Sequence, residues 1–436
     1  MASAKPHAFV ADALALPPQL PATLQQVPDP TPIAAPVTAR IFLMLQGPPG
    51  PFFWELAEKL RHEGATVLRI NLSGGDHYDW PGDAIHYRGR MSEWTLYVDR
   101  FMRAHNITDL LLFGDCRPVH IAARQMAQLR HINVHVFEEG YIRPNWMTLE
   151  RDGVNGNSRF VRDPKVLLAR AADLPPLPDL PGIIANSKRR ARDSYWHYHF
   201  VCIGRFLMQY PYYRSHRPDS IIGEGLCWLR KLWRRKRMAR EAEQTIAGLA
   251  PDSYFLFPLQ LNADYQIRAH SPFDSMYQAI DYVMASFAEH APKDAVLLIK
   301  QHPMDISFRS WATFVSAHAR RLQIADRVFH IDGGDLHGLA QGSRGVVVVN
   351  STSATFALAE GRPVITLGSA IYSMPGITHQ GPLDKFWSAP QPPRPELYDA
   401  FLRCLHDHCL IRGGLASQSA TRILVQSAAE RLLRED

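Results

Sequence analysis

The stretch Ala39-Arg40-Ile41-Phe42-Leu43-Met44-Leu45-Gln46, followed by Gly47-Pro48-Pro49-Gly50-Pro51 and then Phe52 to His62, decides the fold. A short unbroken apolar run is a strand buried on both faces. The Gly/Pro cluster ends it, and the segment beyond it has the periodicity of a helix. Working outward, the unit recurs. Strand Thr66 to Asn71 ends in Ser73-Gly74-Gly75-Asp76. A helix from Ser92 to His105 leads to strand Asp109 to Phe113 and the loop Gly114-Asp115-Cys116-Arg117-Pro118. Helix His120 to Leu129 leads to strand Asn133 to Phe137 and the loop Glu138-Glu139-Gly140-Tyr141. Strands alternating with helices predict a parallel sheet covered on both sides, with ligands at the carboxyl ends of its strands.

The pattern restarts with Ser253 to Pro258, Ala295 to Lys300, Arg327 to Ile331, Gly345 to Val349 and Pro363 to Leu367. A chain of 436 residues exceeds one ordinary core. The fold class expected is therefore α/β, GT-B-like, with two Rossmann-like domains facing a cleft and a basic, aromatic-rich helical insertion between them. The divisions are a flexible proline-rich tail (1–37), a first Rossmann-like domain (38–185), the insertion (186–245), a second, nucleotide-binding domain (246–390) and C-terminal helices (391–436). Those helices, Pro395 to Arg434, read as a pair that packs back across the domain junction.

The net charge of +6 suits phosphate, nucleic acid or anionic lipid equally. Five scattered cysteines argue for a reducing compartment, and Cys404, His406, His408 and Cys409 stand too close together for a usual zinc site. No apolar run reaches the ~18 residues that span a bilayer, and no signal peptide is evident, so a cytoplasmic protein is expected. In the insertion, Leu226, Leu229, Leu232 and Trp233 form one helical stripe beside Arg230, Lys231, Arg234, Arg235, Lys236 and Arg237. A basic amphipathic helix with tryptophan suits an anionic membrane surface. The competing reading is an interdomain helix whose stripe packs on the protein and whose charges are solvated.

Several loops carry candidate chemistry. The loop from Gly47 to Gly50 has the position of a phosphate cradle, yet lacks the P-loop ending, and a tight turn explains it equally well. Glu138 and Glu139 are adjacent carboxylates at a strand end, which suits a nucleophile or base beside a partner held by Arg117 or Arg143. Acids favoured at a loop or helix start are the alternative. Lys300-Gln301-His302-Pro303 ends a buried strand where a histidine can meet a phosphate. Asn350-Ser351-Thr352-Ser353-Ala354-Thr355 offers hydroxyls and free amides at a helix start, an anion site or a simple cap. Glu360 lies further along that helix, where a ribose can be gripped. No Asp-x-Asp metal motif occurs, which suits a nucleoside-monophosphate donor whose one phosphate needs no divalent ion.

Together these residues resemble the KpsS/LipB-type capsule polysaccharide biosynthesis proteins, a family that contains retaining β-Kdo transferases (Kdo is an acidic eight-carbon sugar). The resemblance rests on Leu45 to Phe53, Asn71 to Asp76, Phe113 to Pro118 and Phe137-Glu138-Glu139-Gly140-Tyr141-Ile142-Arg143-Pro144. Thr148-Leu149-Glu150, Gly153-Val154-Asn155-Gly156, Phe257-Pro258-Leu259-Gln260, Lys300 to Pro303 and Asn350 to Thr352 extend it, so that it covers roughly residues 40 to 385.

It implies a GT-B fold, CMP-Kdo as donor and a lysophospholipid or phosphatidylglycerol-type acceptor, with no metal and no further cofactor. Related Kdo transferases have Glu-Asp-Gly where this chain has Glu138-Glu139-Gly140, and their Asp is implicated as nucleophile. Glu139, longer by one methylene, stands in its place. The implied site has Glu139 facing the sugar, with Glu138 or Asp115 as acid/base support. Lys300, His302, Pro303, Ser351, Thr352, Ser353 and Glu360 hold the nucleotide. Gly47, Gly50, Arg117, Arg143 and Gln260 contact substrate, the two arginines through the sugar carboxylate. The partners implied are the nucleotide-sugar donor, a lipid acceptor at the anionic inner-membrane surface, and other capsule-synthesis and export proteins, with no nucleic acid. The rival readings are an elongating Kdo transferase, a GT-B enzyme using a UDP-sugar, and a non-catalytic membrane- or nucleic-acid-binding scaffold.

Overall fold

The computed structural model describes residues 40–178, 180, 182, 187–214, 221–262, 265–305 and 310–434. The proline-rich tail at 1–37 lies outside them. The first unit runs β1 (Ile41–Met44), α1 (Phe52–His62), β2 (Thr66–Asn71), α2 (Gly74–Asp79), β3 (Ile85–His86), α3 (Trp94–Ala104), β4 (Asp109–Phe113), α4 (Pro118–Leu129), β5 (Asn133–Glu139) and β6 (Trp146–Arg151). Next come α5 (Pro164–Ala171), α6 (Ser187–Phe206) and α7 (Ile221–Ala247). The second unit holds β7 (Tyr254–Pro258), α8 (Tyr265–His270), α9 (Met276–His290), β8 (Val296–Lys300), α10 (Trp311–Arg321), β9 (Val328–Ile331), α11 (Leu336–Gln341), β10 (Gly345–Val348), α12 (Ala354–Ala359), β11 (Val364–Thr366) and α13 (Leu383–Phe386). The chain closes with α14 (Pro395–Cys409), β12 (Leu410–Arg412) and α15 (Gln418–Arg434).

Two sheets result, a seven-stranded one in the order β12-β6-β5-β4-β1-β2-β3 and a five-stranded one in the order β11-β10-β7-β8-β9. The apolar runs behave as a two-sided strand must. Ile41 and Leu43 enter the core on one face of the first sheet, and Phe42 and Met44 enter the core on the other. Tyr254 and Leu256 split from Phe255 and Phe257 in the same way across the second sheet. All pairs of the second sheet are parallel, as are β3-β2-β1-β4-β5 of the first. This is the two-Rossmann, GT-B-like arrangement that the sequence pattern predicts.

Two elements differ from the sequence reading. The strand before Gly140 continues through Glu138 and Glu139, because β6 pairs with it antiparallel and places Glu138 opposite Thr148 and Glu139 opposite Met147. Those glutamates are therefore strand residues and not a loop. The C-terminal stretch is helix, strand, helix: Leu410–Arg412 hydrogen-bonds to β6 and completes the first sheet from the far end of the chain. The insertion is helical, as expected, and holds the helices α6 and α7, 20 and 27 residues long. No described helix is long and apolar enough to cross a membrane.

The junction is not a loose hinge. One hydrophobic cluster contains Tyr141, Trp146 and Phe160 from the first unit, Leu256 and Val348 from the second, and Phe401 and Leu405 of α14. On the other side, α15 lays Leu424, Ala428 and Leu432 against Phe52, Leu56 and Leu60 of α1. The C-terminal segment therefore joins both units, the crossing-back expected of it.

Candidate functional site: a cleft with carboxylates on one lip and cations on the other

The carboxyl edge of the first sheet is built around two buried acids. Asp76, at the start of α2, accepts hydrogen bonds from the backbone N–H of Leu72 (3.1 Å), the Ser73 hydroxyl (3.0 Å) and Gln46 Nε2 (3.2 Å). Gln46 also donates to the Tyr213 hydroxyl (3.1 Å), and its Oε1 accepts from Arg117 Nη1 (3.1 Å). The same Arg117 nitrogen lies 3.5 Å from the carbonyl of Gly47. Arg117 thus braces the loop after β1. Gly47 and Gly50 shape that loop for close approach. A β-carbon on Gly47 would stand 2.9 Å from the Phe53 ring, and Gly50 has φ +102° and lies beside Asp193 of α6. The Gly50 backbone also hydrogen-bonds Asp79. Contacts within the protein account for this turn.

Asp115 is the second acid, wholly buried. It accepts from Arg124 Nη1 (3.0 Å), Asn157 Nδ2 (2.8 Å), the Val154 N–H (3.2 Å) and the Cys116 thiol (3.2 Å). Three of these donors share Oδ2, and the thiol meets Oδ1. The sequence reading offers Asp115 as acid/base support. The structure also makes it the knot that ties the loop after β4 to the loop 153–157.

Glu138 and Glu139 do not face one another. Successive strand residues point to opposite sides. Glu138 Oε1 accepts the Glu139 N–H (2.9 Å), and its other oxygen lies toward Gly114. Glu139 turns to two arginines, forming an ion pair with Arg190 of α6 and lying 3.9 Å from Arg143 Nη2. The repulsive pair suggested by adjacency is thereby split, and each carboxylate has its own surroundings. Arg190, from the insertion, was not singled out in the sequence. Only its neighbourhood of cations signals it, because the contact spans 51 residues.

The opposite lip is cationic. His302 follows β8, and its Nδ1 accepts the Met304 N–H (3.1 Å), which leaves the proton of the neutral ring on Nε2. Burial, reinforced by Lys300, Arg143 and Lys231, pushes its pKa down to about 4. Arg143 comes from the first unit, Lys231 from α7 and Lys300 from β8, and all act on one imidazole. Burial likewise lowers the ammonium pKa of Lys300, against the pull of Asp332 and Asp335. Lys231 donates to the Asp305 carbonyl (3.0 Å) and lies 3.4 Å from Asp332. It is a second residue of the insertion that the sequence reading left out of the site. Pro303 is exposed beside His302.

Gln260 and Asn350 clasp the ends of β7 and β10. Gln260 Nε2 donates to Asn350 Oδ1 (2.8 Å), and the Asn350 N–H donates to Gln260 Oε1 (3.1 Å). The Gln260 amide thus positions the loop that carries Ser351, Thr352 and Ser353. The Ser351 and Ser353 hydroxyls lie 2.8 Å apart, and the Ser353 N–H donates to Ser351 Oγ (3.2 Å). α12, which follows, has only six residues, and Ser353 at its start makes no side-chain cap. Glu360 is not brought to this group. It caps the far end of α12 and binds His337 (3.1 Å) and Gln341 (3.0 Å) of α11. A helix that leaves the strand's carboxyl edge carries its last residue away from the cleft.

Of the cysteine and histidine group near 404, Cys404 donates to the Leu167 carbonyl and Cys409 to that of Leu405. His406 stacks edge-on against Trp146, and His408 lies 3.2 Å from Glu150. Among the described residues no group of three His, Cys, Asp or Glu side chains is placed to hold a metal ion.

Fold and cleft define a two-domain α/β protein whose facing lips carry acids and cations. Residues 108–415 match the family described as capsule polysaccharide biosynthesis protein, and the chain belongs to that family. It is 31% identical over 369 residues to the capsule polysaccharide export protein KpsS of Escherichia coli, covering 84% of this chain and 94% of that one. It is 32% identical over 397 residues to the capsule polysaccharide modification protein LipB of Neisseria meningitidis serogroup A, covering 87% and 93%. Among solved structures it is similar to the KpsC β-Kdo 2,7 transferase of Thermosulfurimonas dismutans, at 13% identity and a TM-score of 0.43, with 90% of this chain and 100% of that chain covered.

Proposed function

We propose that the protein is a retaining β-Kdo transferase of capsule synthesis, taking Kdo from CMP-Kdo and adding it to a lysophosphatidylglycerol- or phosphatidylglycerol-type lipid at the cytoplasmic face of the inner membrane. The observation that carries this reading is the opposition of Glu139, flanked by Arg143, to the cationic group of Lys231, Lys300 and His302. An acidic sugar on a nucleoside monophosphate has two anions and an electrophilic carbon between them. The cationic lip suits the phosphate, with His302 Nε2–H as a donor to the leaving oxygen. Arg143 suits the sugar carboxylate in the manner of a guanidinium fork.

In the reaction proposed, the bond from the sugar's anomeric carbon to the phosphate oxygen breaks, and CMP leaves with the electron pair. The Glu139 carboxylate bonds to that carbon. The acceptor hydroxyl then displaces Glu139, giving up its proton to a base, and two inversions give net retention. Glu138, the adjoining strand residue, is the carboxylate at hand for that proton, since Asp115 is wholly buried. No metal is required in this scheme.

The test is incubation of the full chain with CMP-Kdo and a fluorescent lysophosphatidylglycerol, with Glu139→Gln and His302→Ala alongside. A product heavier by one Kdo, lost in both variants, supports the reading. Transfer only to an acceptor that already carries Kdo makes the enzyme an elongating transferase. Absence of transfer to either acceptor, together with absence of CMP binding, sinks the reading in favour of a non-catalytic scaffold.

A further inference from the structure

Helix α6 has two faces of different character. Arg190, His197, Val201 and Gly204 lie on the inner one. His197 is buried against Asp79 at 2.6 Å, and Gly204 meets Gly74 so closely that a β-carbon on Gly74 would stand 2.1 Å from the Phe200 carbonyl. The outer face, at the i, i+3, i+4, i+7 and i+14 positions from Arg192, carries Tyr195, Trp196, His199 and Phe206. Tyr195 is 62% exposed and Phe206 85%. The helix ends by displaying Leu207 and Met208, also exposed, with Met208 at φ +56°, a position where glycine or asparagine is usual. On α7, Leu229, Leu232 and Trp233, the described members of the stripe, are also turned to solvent. The side chains of Leu226 and Trp228 fall outside the described residues.

We propose that the outer face of α6, with Phe206, Leu207 and Met208 at its end, lies in the plane of an anionic phospholipid bilayer. Residues 187–240 carry fourteen lysines and arginines against three carboxylates, in a chain whose whole net charge is +6, so the remainder is net acidic. Aromatic and aliphatic side chains fringed by arginine are the composition of a helix seated among lipid headgroups. A second copy of the chain is a poor occupant, because a twofold contact would set these cations against themselves.

The placement has a chemical consequence. Arg190 reaches Glu139 from the inner face, so Glu139 lies about one helix diameter, ~10 Å, behind the outer face. An interfacial helix sinks about 5–10 Å into the headgroup boundary. Glu139 is then level with the headgroups, where a lipid hydroxyl is found. This last step rests on the lipid-acceptor reading, whereas the docking face does not.

The test is flotation of the full chain with vesicles of phosphatidylcholine alone or mixed with phosphatidylglycerol, without donor. Binding to the mixed vesicles, weakened by salt, is expected. Phe206→Ser combined with Leu207→Ser and Met208→Ser should lower it by about tenfold or more. Trp196→Ser, on the same outer face and 39% exposed, should lower it less, with an unchanged melting temperature showing that the fold is kept. Equal flotation of wild type and triple variant overturns the proposal, as does a concentration-dependent dimer without flotation. Kdo transfer to a detergent-dissolved acceptor is measured separately, so vesicle binding without transfer sinks the transferase reading alone.

Discussion

At the carboxyl edge of the first sheet the chain places Glu138, Glu139 and the buried Asp115, whereas at the same edge of the second sheet it places Lys300 and His302. The scaffolds are alike, with parallel strands whose alternate residues fill two cores. What differs is how each lip treats charge. On the first, acids are paired with arginines, buried as at Asp115 with Arg124 or half-buried as at Glu139 with Arg190 and Arg143. On the second, cations are crowded and partly buried until His302 gives up its proton. The difference teaches that one fold element can display carboxylates or cations at the same edge, depending on whether its loop supplies counter-ions or withholds them.

The comparison is broken most directly at Glu139. Glu139→Gln should lower Kdo transfer by about a thousandfold or more while leaving CMP affinity unchanged in calorimetry. Full activity in that variant, with loss in Glu138→Gln, would exchange the two roles. His302→Ala should lower transfer by about a hundredfold and weaken CMP binding as well. Asp115→Ala should cost about 3 kcal/mol of unfolding free energy, read from denaturant melts, because it strands Arg124 and the Val154 amide. A variant that melts like the wild type but is inactive would return Asp115 to the chemistry.

The smallest effect concerns protons. With its pKa lowered to about 4 from the usual 6.5, the free His302 is neutral at pH 7. A bound phosphate favours the imidazolium and raises that pKa, so binding takes up a proton. Affinity should therefore rise as pH falls below neutrality and level off below about 4. Cytidine 5′-methylphosphate, whose phosphodiester keeps a single charge over this range, should bind up to about tenfold tighter at pH 5 than at pH 7, and His302→Ala should remove most of the slope.

The strands of both sheets that are buried on both faces were legible to within a residue or two, since an apolar run between turn residues has few other uses. β6 and β12 were not. β6 hides the buried Glu150 among apolar neighbours, and this carboxylate is tolerated because Tyr141, Ser158 and His408 surround it. β12 has only three residues between two helices, and its partner lies more than 250 residues earlier. The site divides similarly. Glu139 and His302 could be named from their strand ends, but the donors around Asp115 and the arrival of Arg190 and Lys231 depend on contacts between distant segments. Gly74 and Gly75 were noted only as part of a motif. Their reason is the bare backbone they offer to α6.

The strand Leu410–Arg412 also bears on how the protein is made. β6 is synthesised some 260 residues before its partner. At about 5–20 residues per second, a ribosome leaves that edge open for roughly 13–50 seconds. During this time the nascent first unit presents an unpaired strand, the template on which polypeptides aggregate. A truncation between Glu360 and Leu410 makes the exposure permanent. Such shortened chains are expected to need chaperones to stay dispersed, although they contain every residue of the cleft.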